Sequence, residues 1–152
     1  MSAALIPARQ KDVNRAKVCD DNFIDFVQNW QGEVLPKPSP EESILGGSAC
    51  SARDFDELFR SQLISRHLDL MARVLRVQQK VFYTIGSSGH EGNAMVARLT
   101  RHTDPAFLHY RSGGFMAERF RKLPGMDPIM DSALSFAASK DDPISGGRHK
   151  VW

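Results

Sequence analysis

The chain has 152 residues, enough for one domain with a core of its own, and 41% hydrophobic against 25% charged residues is the balance of a globular chain rather than a disordered one. Its 20 Lys and Arg against 18 Asp and Glu leave a net charge of +2, which gives no support to a nucleic-acid partner. No apolar run approaches the roughly 20 residues that cross a bilayer, and Met1 to Val18 lacks the apolar centre of a secretory signal, so the expectation is a cytoplasmic protein with no membrane partner.

Residues 1–50 read as an N-terminal arm, because Pro7, Pro36, Pro38, Pro40, Gly32, Gly46 and Gly47 punctuate a largely polar stretch. Within it Phe23, Phe26, Val27 and Trp30 recur at helical spacing and predict one short amphipathic helix over Asp20 to Trp30. Cys19 and Cys50 stand far apart in polar surroundings, a pattern of neither a disulfide framework nor a zinc site, and read as incidental thiols.

Residues 51–152 read as a helical domain. Ser51 and Asp54 form a capping-box pattern ahead of a stripe of Phe55, Phe59, Leu63, Leu70, Val74 and Val81, widened by Leu58, Ile64, Leu68, Met71 and Leu75. The expectation is one long, well-buried helix from about Asp54 to Lys80. His67 with Arg66, Asp69, Arg73 and Arg76 falls largely on its wetter side, where a solvated charged face is the default and no chemistry is assigned. The apolar face is wider than the remaining helices can cover, so an exposed patch and a homo- or hetero-oligomer are expected.

A second helix is predicted after Gly86, capped by Ser87 or Ser88 with Glu91 three residues past Ser88. After the Asp104-Pro105 break, Phe107, Leu108 and Tyr110 mark Ala106 to Tyr110 as a short buried strand. A third helix is predicted from Ser112 to Leu123, and a fourth from Pro128 to about Ala138 with Asp127 as its cap; Ser139 to Trp152 is a polar loop. A lone strand cannot make a sheet. Either it pairs with chain outside these residues or it is not a strand, and the fold class of the chain as it stands is mostly α.

Three stretches stand in a telling order: Phe82-Tyr83-Thr84-Ile85-Gly86-Ser87-Ser88-Gly89-His90-Glu91-Gly92, then Phe107-Leu108-His109-Tyr110-Arg111-Ser112-Gly113-Gly114, then Gly146-Gly147-Arg148-His149-Lys150-Val151-Trp152. From about Phe55 onward the chain resembles the alpha-subunit region of thiamine-diphosphate-dependent 2-oxo acid dehydrogenases, the decarboxylating component of the pyruvate and branched-chain complexes, including the single-chain fused type. The resemblance implies that residues 51–152 are the helical start of an α/β thiamine-diphosphate-binding fold, truncated before its metal motif. It also implies that Tyr110 and Arg111, with His109 beside them, contact the cofactor's diphosphate, and that Ser87, Ser88 and His90 lie in the turn facing substrate. Arg148 and His149 fall in the loop that this family orders around the cofactor. The reaction implied is oxidative decarboxylation of a 2-oxo acid, pyruvate or branched-chain, with acyl transfer to a lipoyl group. The partners implied are a beta-type subunit or fused second half, and the lipoyl domain of the acyltransferase component of a multienzyme complex.

The physics of these residues supports more than one reading. Arg111 precedes a glycine-rich helix start, so its donors and the N–H groups of Ser112, Gly113 and Gly114 can converge on an anion such as a diphosphate. A plainer arrangement is a buried Tyr110 beside a surface Arg111 that pairs with Glu118. His90, at a helix start beside Gly89 and Gly92, is a possible proton carrier or a structural cap. The family's Gly-Asp-Gly metal motif does not occur in the chain, which therefore offers no metal ligands; magnesium and the glutamate that activates the cofactor are expected to be held outside it, and the chain alone is expected to be inactive. Two further readings stand beside this one: a non-catalytic helical interaction module derived from the family, and another thiamine-diphosphate enzyme such as acetoin dehydrogenase or transketolase.

Overall fold

The computed structural model describes residues 13–82 and 86–148. The chain divides into two compact units, Met1–Lys37 and Pro38–Trp152. The division falls inside the proline-rich arm because residues 40–50 fold back on the segment that follows. Glu42 and Pro40 carbonyls accept the Ala52 and Arg53 N–H groups at 2.8 and 2.9 Å, and Ser43 bridges Ser51.

The first unit holds helix α1, Arg15–Gln28. It begins earlier than Asp20 because the Asn14 side chain accepts the Lys17 N–H at 3.1 Å and caps the turn. Phe23, Phe26, Val27 and Trp30 lie exposed along it, with Phe26 and Trp30 in edge-to-face contact at 5.3 Å.

The second unit is built on α2, Ala52–Val77, joined by α3, Ala94–Leu99, with a 3₁₀ turn over Glu91–Asn93 before it, then α4, Gly113–Arg121, and α5, Pro128–Phe136. Among the described residues there is no strand, only the isolated Ser43–Ser51 bridge. Among the described residues no helix is long and apolar enough to cross a membrane. The chain is mostly helical, as its sequence predicts.

The ends of α2 follow from local chemistry. Ser51 and Asp54 close the expected capping box. At the other end Gln79 adopts a left-handed φ of 59°, so the Gln79 N–H reaches the Arg76 carbonyl and the Lys80 N–H that of Leu75. That paired motif stops the helix at Val77, short of Lys80. Asp127 caps α5 through the Ile129 and Met130 N–H groups at 3.0 Å, with Pro128 at the first helical position.

The face of α2 turned inward differs from the expected one. Leu58, Ser61, Ser65, Asp69 and Ala72 are buried, at intervals of three and four. Phe55, Phe59, Leu63 and Val74, read from the sequence as core, are between 39% and 50% exposed. At 100° per residue the two sets lie on nearly opposite sides of the helix. The inward side is chosen by hydrogen bonding: Ser61 donates to Glu118 at 2.7 Å and Asp69 accepts from Ser87 at 2.7 Å, bonds that no phenylalanine can make.

Packing is completed by small residues and charge. Ala94 and Ala97 of α3 are fully buried against α2 and α4, together with Phe115, Ala117 and Phe120 of α4. Ala72, Val81 and Phe136 form a second apolar cluster with Leu68 and Leu75 packed against it. Lys122 closes the end of α3 by donating to the Ala97, Arg98 and Thr100 carbonyls at 2.5 to 3.0 Å.

Three carboxylates sit below their ordinary range and shape the response to acid. Asp54 is held down by the Ser51 N–H and hydroxyl and by Arg98. Asp104 is held down by the Arg101 N–H and guanidinium. For Asp142, burial pushes upward but the Ser145 hydroxyl and the Ile144, Gly147 and Ser145 N–H groups outweigh it. A depressed carboxylate stabilises the fold fully above its unfolded value, 3.8, and loses that contribution as pH falls through the folded value. Asp131, raised by burial and by Asp127 and Asp142, acts with the opposite sign. With three depressed groups against one raised group, the urea midpoint is expected to fall on acidification below about pH 4. Asp142→Asn should remove part of that fall; an unchanged acid limb would contradict the assignment.

Candidate functional site

The turn over residues 86–90 and the segment His109–Arg111 meet at the start of α4. The Arg111 guanidinium donates to the Gly86 carbonyl at 3.0 Å and lies 5.4 Å from the Tyr110 ring centre. The His90 and His109 rings stand edge to face at 5.2 Å, and His109 and Tyr110 at 5.7 Å. Five residues singled out in the sequence, Ser87, His90, His109, Tyr110 and Arg111, thus come together. Ser88 lies exposed in the turn beside them. His149 lies outside the described residues, and Arg148, which is described, donates to the Ser145 carbonyl at 3.0 Å.

The segment carrying His109 and Tyr110 is not a buried strand. Ala106 to Tyr110 is an irregular, exposed loop, with Phe107 fully exposed. Among the described residues it has no neighbouring strand, and it closes onto the start of α4 instead. The Ser112 N–H donates to the His109 carbonyl at 2.9 Å, and the Arg111 N–H to His109 Nδ1 at 3.0 Å. With Nδ1 accepting, a neutral His109 carries its proton on Nε2, a donor for an anion.

The second helix starts later than its sequence predicts. Neither Ser87 nor Ser88 caps it: the Glu91 carboxylate accepts the Gly89 N–H at 2.7 Å, a 3₁₀ turn follows, and α3 begins only at Ala94. His90 makes no side-chain cap bond. Ser87 is buried and hydrogen-bonded to Asp69 and Ser65.

Asp69 is not on the wet face of α2, where its spacing with the arginines predicts it. It is 8% exposed and takes both the Ser87 N–H, at 2.7 Å, and the Ser87 hydroxyl, at 2.8 Å. Ser65 meets the same hydroxyl at 2.8 Å. The signal was present as Ser61, Ser65, Asp69 and Ala72 at helical spacing opposite the phenylalanines. It is faint because small and polar residues are the usual content of a solvated face. Asp69 therefore fixes the backbone of the turn whose Gly86 carbonyl receives Arg111. Asp69→Ala is expected to cost about 1–3 kcal/mol, the penalty of leaving a buried donor unmatched, and Asp69→Asn less. Amide exchange at Ser87 should accelerate in the alanine variant, and unchanged protection there would remove Asp69 from this role.

The two glycines that open α4 serve packing. A Cβ on Gly113 would meet Ser65 Oγ at 2.7 Å, and one on Gly114 the Glu91 carbonyl oxygen at 2.9 Å. The Ser112 N–H is committed to His109, so the expected convergence of three N–H groups on one anion is reduced. The plainer pairing of Arg111 with Glu118 is not formed either. Glu118 is fully buried and bound by Ser61, Arg98 and Arg121, while Tyr110 is 38% exposed. Between the turn and α5 lies a cavity of about 10 Å³, bounded by Ser65, Asp69, Ser87, Tyr110, Gly113, Ser132 and Phe136, room for a single water.

Chemically, the cluster brings together a guanidinium, an imidazole and a phenol, the phenol's residue also lining the inner cavity. A donor set of this kind is of the type that binds an anion. It does not fit a metal: among the described residues no group of three His, Cys, Asp or Glu is placed to hold one. Comparison with known protein families, with curated proteins and with solved structures finds no match for the chain.

Proposed function

We propose that this chain is the front part of the decarboxylating component of a thiamine-diphosphate-dependent 2-oxo acid dehydrogenase, and that it forms the helical start of that enzyme's α/β cofactor-binding fold. The observation that supports the reading most is the meeting of the 86–90 turn with His109, Tyr110 and Arg111, two of the three stretches on which the resemblance rests. In this reading Arg111, Tyr110 and His109 line one side of the diphosphate, and Ser87, Ser88 and His90 belong to the turn on the substrate side. Asp69 and Ser65 hold that turn through Ser87.

Bound thiamine diphosphate supplies the electron sink for loss of carbon dioxide from a 2-oxo acid, and the protein supplies orientation and electrostatics. The contribution of this chain is binding and positioning. Arg111 offers charge to the anion while anchored at Gly86, and His109 is oriented by the Arg111 N–H. The reading assigns magnesium and the activating glutamate to residues outside these 152, in a beta-type subunit or a fused second half, and the acyl group to a lipoyl domain.

The test is a titration of thiamine diphosphate and magnesium into the chain extended by its downstream coding sequence, as wild type and as Arg111→Ala. Loss of affinity in the variant supports the reading. Equal affinities would return Arg111 to an ordinary structural arginine.

A second reading, a non-catalytic helical interaction module, draws on the outward apolar face of α2, which is a feature of a surface built to be covered. An extended chain that binds no thiamine diphosphate, yet still assembles, would favour it.

A further inference from the structure

His109 opens the turn that leads into α4, and its side chain is part of that turn. The Ser112 N–H donates to the His109 carbonyl at 2.9 Å, the His109 N–H to Ser112 Oγ at 3.3 Å, and the Arg111 N–H to His109 Nδ1 at 3.0 Å. A side-chain acceptor for the N–H two residues on, at the first position of a turn, is ordinarily supplied by asparagine or aspartate. Histidine Nδ1 is bonded to Cγ, as the asparagine Oδ1 is, and fills the same place. The difference is that Nδ1 accepts only while the ring is neutral; a second proton turns it into a donor facing a donor. Histidine is the side chain that ordinarily makes this change between about pH 5 and 8.

We infer that His109 is a pH-sensitive latch. Neutral, it closes the turn over His109–Ser112 and holds that segment against the turn carrying His90; protonated, it lets the segment go. The surrounding charges act in the same direction. The His90 ring stands edge to face with His109 at 5.2 Å, and two charged imidazoles at that distance repel. Arg111 adds a guanidinium held on the Gly86 carbonyl and over the Tyr110 ring, and Arg73 of α2 lies beside Gly86. The carboxylates of the neighbouring elements are engaged elsewhere: Glu91 takes the Gly89 N–H, and Asp69 the Ser87 N–H and hydroxyl. Acid therefore gathers positive charge at the cluster while Glu91 and Asp69 stay committed to the turn. The latch does not rest on the cofactor reading, since every bond in it is made by the chain itself.

Amide exchange of the 152-residue chain, expressed as protection relative to an unstructured peptide at the same pH, reads the latch with no cofactor added. Between about pH 8 and about pH 5, protection at Arg111 should fall on the order of tenfold, with Ser112 following and the amides of α2 unchanged. His109→Asn, at an exposed position, is the deciding variant: its Oδ1 can take the Arg111 N–H at every pH, so protection there should stay level. His90→Gln should keep the fall. A wild-type fall below about twofold, an equal fall in His109→Asn, or loss of the fall in His90→Gln would overturn the inference. A fall shared equally by α2 would overturn it too, because the whole unit would then be opening. A failed titration of thiamine diphosphate leaves this result standing, and a failed latch leaves the titration standing.

Discussion

Replacing Glu118 with alanine is expected to lower the unfolding free energy by about 3–5 kcal/mol, the cost of breaking a buried ion pair from one side. The carboxylate is fully buried and every bond it makes is to another element or the next turn. Ser61 of α2 donates to it at 2.7 Å, Arg98 of α3 at 3.2 Å, and Arg121 at the end of α4 at 2.7 and 3.2 Å. Glu57 meets both arginines at 2.9 Å, and Arg98 also pairs with Asp54. Removing Glu118 leaves two half-buried guanidiniums with fewer carboxylates and strands the Ser61 hydroxyl. Three helices lose their common anchor.

Glu118→Gln keeps the shape and one acceptor oxygen but removes the charge, and should cost less than alanine. Ser61→Ala should cost about 0.5–1.5 kcal/mol, the worth of one hydrogen bond. Urea denaturation of these variants, with Arg98→Met and the double variant, gives the coupling directly. A Glu118→Ala cost below about 1 kcal/mol, or strict additivity with Arg98→Met, would contradict a cooperative network.

Arg111→Ala is expected to weaken thiamine diphosphate by about 2–4 kcal/mol, roughly 30- to 1000-fold, in the extended chain, if the proposed function holds. In the structure the guanidinium anchors the turn at Gly86 through Nη1 and lies over the Tyr110 ring; the proposed function gives it a second task at the anion. Arg111→Lys should recover only part of the affinity, since a point charge cannot reproduce the planar fork. Tyr110→Phe should cost about 0.5–1.5 kcal/mol. Amide exchange at Ser87 separates the tasks: a loss of affinity with Ser87 still protected belongs to the anion, and one with Ser87 exposed belongs to the turn. Affinity unchanged in all three variants would retire the site.

Local signals settled that the helices form and where α2 and α5 begin. The Ser51–Asp54 capping box, the Asp127-Pro128 start and the 3.6-residue periodicity act within a few residues of where they are read, so they survive in any tertiary setting. The grouping of His109, Tyr110 and Arg111 was equally legible, being three neighbours before a glycine pair. What the tertiary structure alone decided was orientation. Hydrophobic periodicity shows that α2 has two unlike sides and cannot say which one meets α3 and α4. The choice was made by partners far along the chain: Glu118 for Ser61, and Ser87 for Asp69. Buried polar groups must be satisfied, and the phenylalanine side could satisfy none of these. Ala106–Tyr110 makes the same point in reverse. Its residues suit a strand, but a strand is defined by the neighbour it pairs with, and the neighbour here is the start of α4.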